Sequence, residues 1–468
     1  KPPTRRSPAQ DERLRSRQQD PAAVTPMDAP GECSRHDPAT TGQLRGRRVL
    51  VVAHDFPPTP SPQSVRAMAF VRELSQGGAE VHVLTRTRLR GLPEPPMPEG
   101  IRVWRASPGP WEAAVDAISS RRRRGGADGA PSARPERTGP VRLNWKGKAI
   151  RYASRVMALL LFPDDRVAWV PSARRMLARI AREATPDVAL VMHEPAASLV
   201  LARALPTLGI PWLADIADPV LAGYTPWHWR WLARRLEART LREAAAVTVT
   251  NEATARLLRS RHPTASLPIT VLPQGFEPQD APAIGGTLPL RLVYTGRFYA
   301  FRPAGPLLDA VLATPDVELH IAGPEMPQDV LAAASRQPDR IRLHGELDHA
   351  SAIALQRSAD ILVSIGNRDA IQTPGKIYEY FGIARPVFHL RADAADPVPL
   401  LLSERRRGVS SENASGAIQG VLAHLLGLKR DGRLAEPFDF SPGAVEDFTW
   451  RHLGERLAGL LAGIATRR

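Results

Sequence analysis

Cysteine is nearly absent: one residue, Cys33, in a chain of 468. No disulfide can therefore form within the chain, and a reducing compartment suits it. Long apolar runs are missing too. The longest of note, Val156 to Phe162, falls far short of the ~20 residues that a membrane-spanning helix needs. No apolar stretch near the N-terminus reads as a secretory signal. There is no Gly-x-x-x-x-Gly-Lys-Ser/Thr loop, no clear Gly-x-Gly-x-x-Gly, no Cys or His cluster at metal-ligand spacing, and no Gly-x-Ser-x-Gly after a strand-like run. These gaps argue against a P-loop NTPase, a zinc site and a nucleophile-elbow hydrolase. Lysine is scarce as well, with 5 among 63 basic residues, the rest being arginine.

What is abundant is positive charge. The net charge is +15, which points to an anionic partner: nucleic acid, a membrane surface or an anionic substrate. Much of the arginine lies where folding is not expected, and a coding bias explains it equally well. Residues 1–44 are rich in Pro, Arg, Gln and Asp without apolar periodicity, and read as a disordered basic tail. A second such stretch, about 107–140, holds Arg121 to Arg124, Gly125 and Gly126, and reads as a flexible excursion. The arginine run lacks an aromatic platform or recognition motif, so nucleic acid is not the expected partner.

Between these stretches, short apolar runs alternate with helical patterns, which implies α/β architecture with parallel sheets. Strands are expected at 48–53, 80–85, 101–105, 187–192 and 211–218; apolar segments at 246–250 and 269–276 close the first domain, 290–297 opens the second, and strands follow at 317–322, 341–344, 360–363 and 386–390. Asn251 reads as a helix cap, and the last long helix runs from Arg451 to Ala465. The expected organisation is a first domain over 45–272, a linker over 273–289, a second domain over 290–430 and a C-terminal segment over 431–468. The stretch from Trp145 through Lys146, Lys148, Arg151 and Arg155 to Phe162 suits a membrane interface, or equally a helix packed on the first domain with its charges solvated.

The most informative stretch runs from Ser364 to His389. A strand-like run ends in a polar loop, and Thr373-Pro374-Gly375 then opens a short helix that Gly382 closes. Lys376 and Glu379, three apart, share one face of that helix. A helix start at the carboxyl end of a parallel strand presents free N–H groups, a place for phosphate, with Lys376 adding charge and Glu379 accepting hydrogen bonds from a ribose. The same residues also fit an ordinary helix–strand junction.

This stretch, Pro374-Gly375-Lys376-Ile377-Tyr378-Glu379-Tyr380 followed by Ala384-Arg385-Pro386-Val387, resembles the donor site of family-4 retaining glycosyltransferases. The order of motifs over about 46–465 agrees with it. The resemblance implies a GT-B fold, two Rossmann-like domains across a cleft, and transfer of a sugar from a nucleoside-diphosphate sugar with retention of configuration. It implies no metal and no cofactor beyond that nucleotide-sugar co-substrate. On this resemblance His193, in His193-Glu194-Pro195, lies beside the reacting sugar, while Arg297 and Lys376 offset charge on the leaving diphosphate. Gly296, Arg302, Asn367, Gln372, Thr373, Gly375, Ile377 and Glu379 line the donor site. Ser64, Arg66 and Asp218 fall on the acceptor or interdomain side. Arg297 and Arg302 also suit surface ion pairs, and a strand-end histidine is often structural.

The sequence departs from the family pattern in several places: the loop after the first strand lacks the family's Gly-Gly pair, and Arg302 stands where lysine is usual. The first carboxylate of the family's Glu-x7-Glu is replaced by Ile371, so the donor sugar must find contacts elsewhere, from Asn367, Asp369 or Gln372. Ala217 and Val220 stand where Arg and Trp are common, which bears on acceptor choice. The expected protein is cytoplasmic, with peripheral contact at the inner face of the cell membrane and an acceptor that the sequence does not name. The competing reading is a GT-B-shaped chain that has lost activity and serves as a binding partner.

Overall fold

The computed structural model describes residues 43–59, 61–87, 96–109, 113, 161–223, 225–280, 284, 287–299, 302–367 and 373–466. The readings made on 1–42, on most of the excursion, on Trp145 to Arg155, and on Asp369, Ile371 and Gln372 lie outside these residues.

The first sheet is built from β1 (Arg48–Val52), β2 (Glu80–Arg86), β3 (Ile101–Ala106), β4 (Val188–Met192), β5 (Trp212–Ile216), β6 (Ala246–Val249) and β7 (Ile269–Val271). Its order is β3-β2-β1-β4-β5-β6-β7, with every pairing parallel. The second holds β8 (Leu290–Thr295), β9 (Val317–Ala322), β10 (Ile341–Gly345), β11 (Ile361–Ile365), β12 (Val387–Arg391) and β13 (Gly408–Glu412). Its order, β10-β9-β8-β11-β12-β13, is also wholly parallel. Strands such as Val-Ala-Leu-Val-Met in β4 are buried on both faces because helices cover both, so their sequences are almost continuously apolar. β13, Gly-Val-Ser-Ser-Glu, was not expected; it is a half-buried edge strand with one large apolar residue, and its register comes from pairing with β12.

Local chemistry sets the helix starts. Ser61 accepts from the Ser64 amide at 3.1 Å with Pro62 opening the helix Pro62–Gln76, and Asn251 accepts from the Thr254 amide at 2.8 Å ahead of Glu252–Arg261. The C-terminal helix Trp450–Ala465 lies against Pro62–Gln76, burying Leu453, Leu457, Leu461 and Ile464 with Phe70 and Leu74. Each such side chain contributes roughly 1.5–3 kcal/mol by leaving water. Phe276, in the expected linker, bridges Thr449, so the chain between the sheets is pinned by the segment that leads into this helix. Among the described residues no helix is long and apolar enough to cross a membrane.

Candidate functional site

In the second sheet the strand order reverses at β8, which has β9 on one side and β11 on the other. Ligands of open parallel sheets bind at the carboxyl ends of such strands. β8 ends at Thr295, and Gly296 follows. A Cβ at Gly323, just past β9, would stand 2.2 Å from the Gly296 carbonyl oxygen, so glycine allows the two chain turns to touch backbone to backbone.

After β11 the chain reaches the helix Lys376–Ile383. Gly375 precedes it, and Pro374 lies two residues ahead of the first helical residue rather than just inside the helix as the sequence suggested. Gly382 lies within it, and the helix ends instead at Ala384, which takes the left-handed φ of +53°. The missing Cβ of Gly382 serves packing: it would come within 2.7 Å of the Glu277 carbonyl oxygen.

Lys376 Nζ lies 2.8 and 3.0 Å from the two Glu379 carboxylate oxygens. Gln356, fully buried on the helix His349–Arg357, donates to Glu379 Oε1 at 2.6 Å and to Thr295 Oγ1 at 2.8 Å. Thr295 in turn meets the Tyr380 hydroxyl at 3.3 Å. Glu379 is thus aimed by a buried amide while its carboxylate stays partly open to solvent, with lone pairs left for a ligand's hydroxyls. Nothing in the local sequence marks Gln356 or Thr295, because they meet Glu379 only through the fold.

Arg302 Nε donates to Asn367 Oδ1 at 2.9 Å, joining the loops that follow β8 and β11. Arg297 is exposed beside them. Ile377 departs from expectation. Its side chain is fully buried in the core and its amide bonds the Pro374 carbonyl, so it packs the helix and offers nothing to a ligand. Thr373 lines a cavity of about 200 Å³ with Tyr378 and Phe448 on one side and Thr250, Asn251 and Pro273 on the other. Gly375 faces the same junction, where its Cβ would lie 3.7 Å from Gln274.

In the first sheet the order reverses at β1, beside β4. β4 ends at Met192, followed by His193. Burial pushes the His193 imidazole down to about 4, so it is neutral at pH 7, and its Nδ1 has no hydrogen-bond partner among the described residues. Glu194 holds a left-handed φ of +73°, a conformation that costs a non-glycine residue on the order of 1–3 kcal/mol and clusters at functional sites. Gln63 donates to its carboxyl group. Burial, then the neighbouring Asp218 carboxylate, push Glu194 up to about 8, so at neutral pH it carries a proton that it shares with Asp218. Asp55, after β1, is also near. Burial opposes its ionisation, yet the His54 hydrogen bond at 2.9 Å and Arg86 at 3.5 Å hold it below the usual range. Three carboxyl groups from three strand ends therefore meet at one edge, where the sequence indicated Asp218 and the His193-Glu194-Pro195 run.

Ser64 and Arg66 do not join them. The side chain of Ser64 is buried in the first helical turn. Arg66 makes a buried fork with Asp215, at 2.8 and 2.9 Å, and donates to the Leu272 and Pro273 carbonyls. Four of its five donors are spent inside the domain, so it ties helix, β5 and the chain after β7 together rather than facing an acceptor.

The raised Glu194 carboxyl has a consequence for stability. Its folded value lies above the unfolded one of about 4.5, so its favourable contribution is complete below pH 4.5 and is lost as pH rises through about 8. Glu194→Gln is therefore expected to gain in melting temperature relative to the parent between pH 5 and pH 8.5. A difference that stays constant across that range would contradict the shared proton.

Residues 127–280 match the family model described as Glycosyltransferase Family 4. No curated protein matches the chain by sequence. Among solved structures, TarM superposes with a TM-score of 0.57 at 10% identity, over 90% of this chain and 99% of that one. The Anabaena protein HepE in complex with UDP gives 0.55 at 12% identity, over 89% and 100%. The lipopolysaccharide outer core galactosyltransferase WaaB gives 0.51 at 12% identity, over 89% and 99%. At such identities the likeness speaks for architecture: this chain has the GT-B fold of nucleotide-sugar glycosyltransferases, and the Glycosyltransferase Family 4 match spans the part of the chain that holds β4 to β7.

Proposed function

We propose that the protein moves a sugar from a nucleoside-diphosphate sugar to an acceptor with retention of configuration, without a metal. The observation that carries this reading is Glu379, fixed by Gln356 and Lys376 at the strand-order reversal of the second sheet. A carboxylate held there suits the two hydroxyls of a ribose. The ammonium of Lys376, half-exposed, can exchange Glu379 for a diphosphate through its own side-chain rotation. Arg297 and Arg302 stand on the loop after β8, where a second and third cation would meet the same phosphates. Negative charge grows on the diphosphate as the glycosidic bond breaks, so these cations act more strongly in the transition state than on the bound donor. Neutral His193, at the strand-order reversal of the first sheet, accepts or donates a hydrogen bond to a sugar hydroxyl without bringing a charge that would compete with an oxocarbenium-like centre. The Glu194–Asp218 pair presents acceptors and one proton to the incoming hydroxyl. A nucleotide donor and a single cysteine suit the cytoplasm.

The test is a panel of nucleotide sugars scored for thermal stabilisation, hydrolysis and transfer, with and without chelator. One donor is expected to raise the melting temperature, as mass action requires, and to be turned over with chelator present. His193→Ala is expected to bind nucleotide like the parent and to lower turnover by a factor on the order of 10². A donor that binds tightly yet is neither hydrolysed nor transferred would favour the inactive binding protein instead. Loss of nucleotide affinity in His193→Ala would remove the assigned division of labour.

A further inference from the structure

The segment between β5 and the helix Arg230–Glu243 carries Trp227 and Trp229, and Trp231 is the second residue of the helix. Trp229 is half-buried, its ring 5.5 Å from that of Phe162. Trp227 and Trp231 are 84% and 64% exposed. Tryptophan offers more apolar surface to bury than any other side chain, and two left in water four residues apart expose a large apolar area at the start of this helix. Arg235 extends the row, its guanidinium 4.8 Å from the centre of the Trp231 ring. Arg230 and Arg234 are exposed alongside, and none of the three arginines meets a carboxylate among the described residues. Further along the helix the pattern changes, for Arg239 is paired with Glu243 at 2.5 Å. No Asp or Glu occurs between Asp218 and Glu237.

We propose that this patch docks the protein on an anionic lipid bilayer. Indole rings favour the headgroup level, where the ring is sheltered and the N–H stays hydrated, and unpaired guanidiniums meet lipid phosphates there. A neutral glycan would stack on the indoles but gain little from three unpaired cations, and Arg235 already covers one face of Trp231. The patch follows Asp218 along the chain from the carboxyl end of β5, the edge that holds His193 and Glu194. Docking therefore brings that edge to the membrane, and, on the proposed sugar transfer, the acceptor it reaches is one carried by a lipid.

The experiment is sedimentation of the full chain with vesicles of phosphatidylcholine alone or mixed with phosphatidylglycerol, at low and high salt. Binding is expected only to the mixed vesicles and is expected to weaken with salt. Trp227→Ala with Trp231→Ala is expected to reduce partitioning roughly tenfold. Arg230→Glu, Arg234→Glu and Arg235→Glu together are expected to reduce it by more than about a hundredfold, since each cation near the surface contributes roughly fivefold. Donor hydrolysis is expected to be unchanged in both variants, which separates failure of the docking surface from failure of the transferase reading. Unchanged melting temperatures in both would show that lost binding is not lost folding. The proposal is overturned by equal binding to neutral vesicles. It is overturned equally if the parent binding survives in both variants, which would place the contact in Trp145 to Arg155, or if the patch retains an acidic protein or a glycan polymer while ignoring vesicles.

Discussion

Glu379→Ala is expected to weaken nucleotide binding roughly ten- to a hundredfold, because a hydrogen bond to a charged group contributes about 1.5–3 kcal/mol. The expectation rests on a carboxylate that is already oriented. Gln356 is fully buried and bonded to both Glu379 and Thr295, so little ordering remains to be done when a ribose arrives. The substitution also releases Lys376 from its carboxylate partner, which favours phosphate and works against the loss. Free nucleoside and nucleoside diphosphate separate the two effects. The nucleoside should show the full loss, and the diphosphate a smaller one. Lys376→Ala should reverse the pattern, sparing the nucleoside and lowering turnover. Calorimetry on both ligands decides it: a folded Glu379→Ala protein that binds nucleoside like the parent would move the ribose site elsewhere.

Asp215→Ala is expected to destabilise the first domain by about 3–5 kcal/mol, a large share of a typical domain's stability. Arg66 and Asp215 are almost wholly buried, and Thr248 donates a further hydrogen bond to the same carboxylate at 2.8 Å. Removing the carboxylate leaves a guanidinium inside the domain that cannot shed its proton. Replacing both members by apolar residues of similar size, Arg66→Met with Asp215→Leu, should recover most of the loss, because the desolvation cost of the pair goes with it. Urea midpoints of the parent, the single variant and the double variant measure this. Equal midpoints for parent and Asp215→Ala would mean that Arg66 is solvated in solution and free for another role.

The two residues of this pair show why part of the site was misread. Arg66, near the start of its helix, looks like a cation offered to an anion. Its partner lies 149 residues away, and no local pattern announces it. Glu379 and Lys376 were legible for the opposite reason: three residues apart on one helix, they meet whatever the rest of the chain does. Ile377 shares their motif, yet one position along the helix turns its side chain by about 100° into the core.

Sequence alone determined the alternation of buried strands and helices, because parallel strands covered on both faces must be apolar throughout. It determined the helix cap at Asn251 and the Lys376–Glu379 pairing, both of which act within a few residues. Only the tertiary structure decided what depends on strand order. The reversal at β8 brings Gln356 and Thr295 to Glu379, and Arg302 to Asn367. The reversal at β1 gathers Asp55, Glu194 and Asp218 and so raises one carboxyl above neutrality. The exposure of Trp227 and Trp231 belongs to the same class. A tryptophan reads as a core residue until the packing of its helix shows which of its sides has been left without a neighbour.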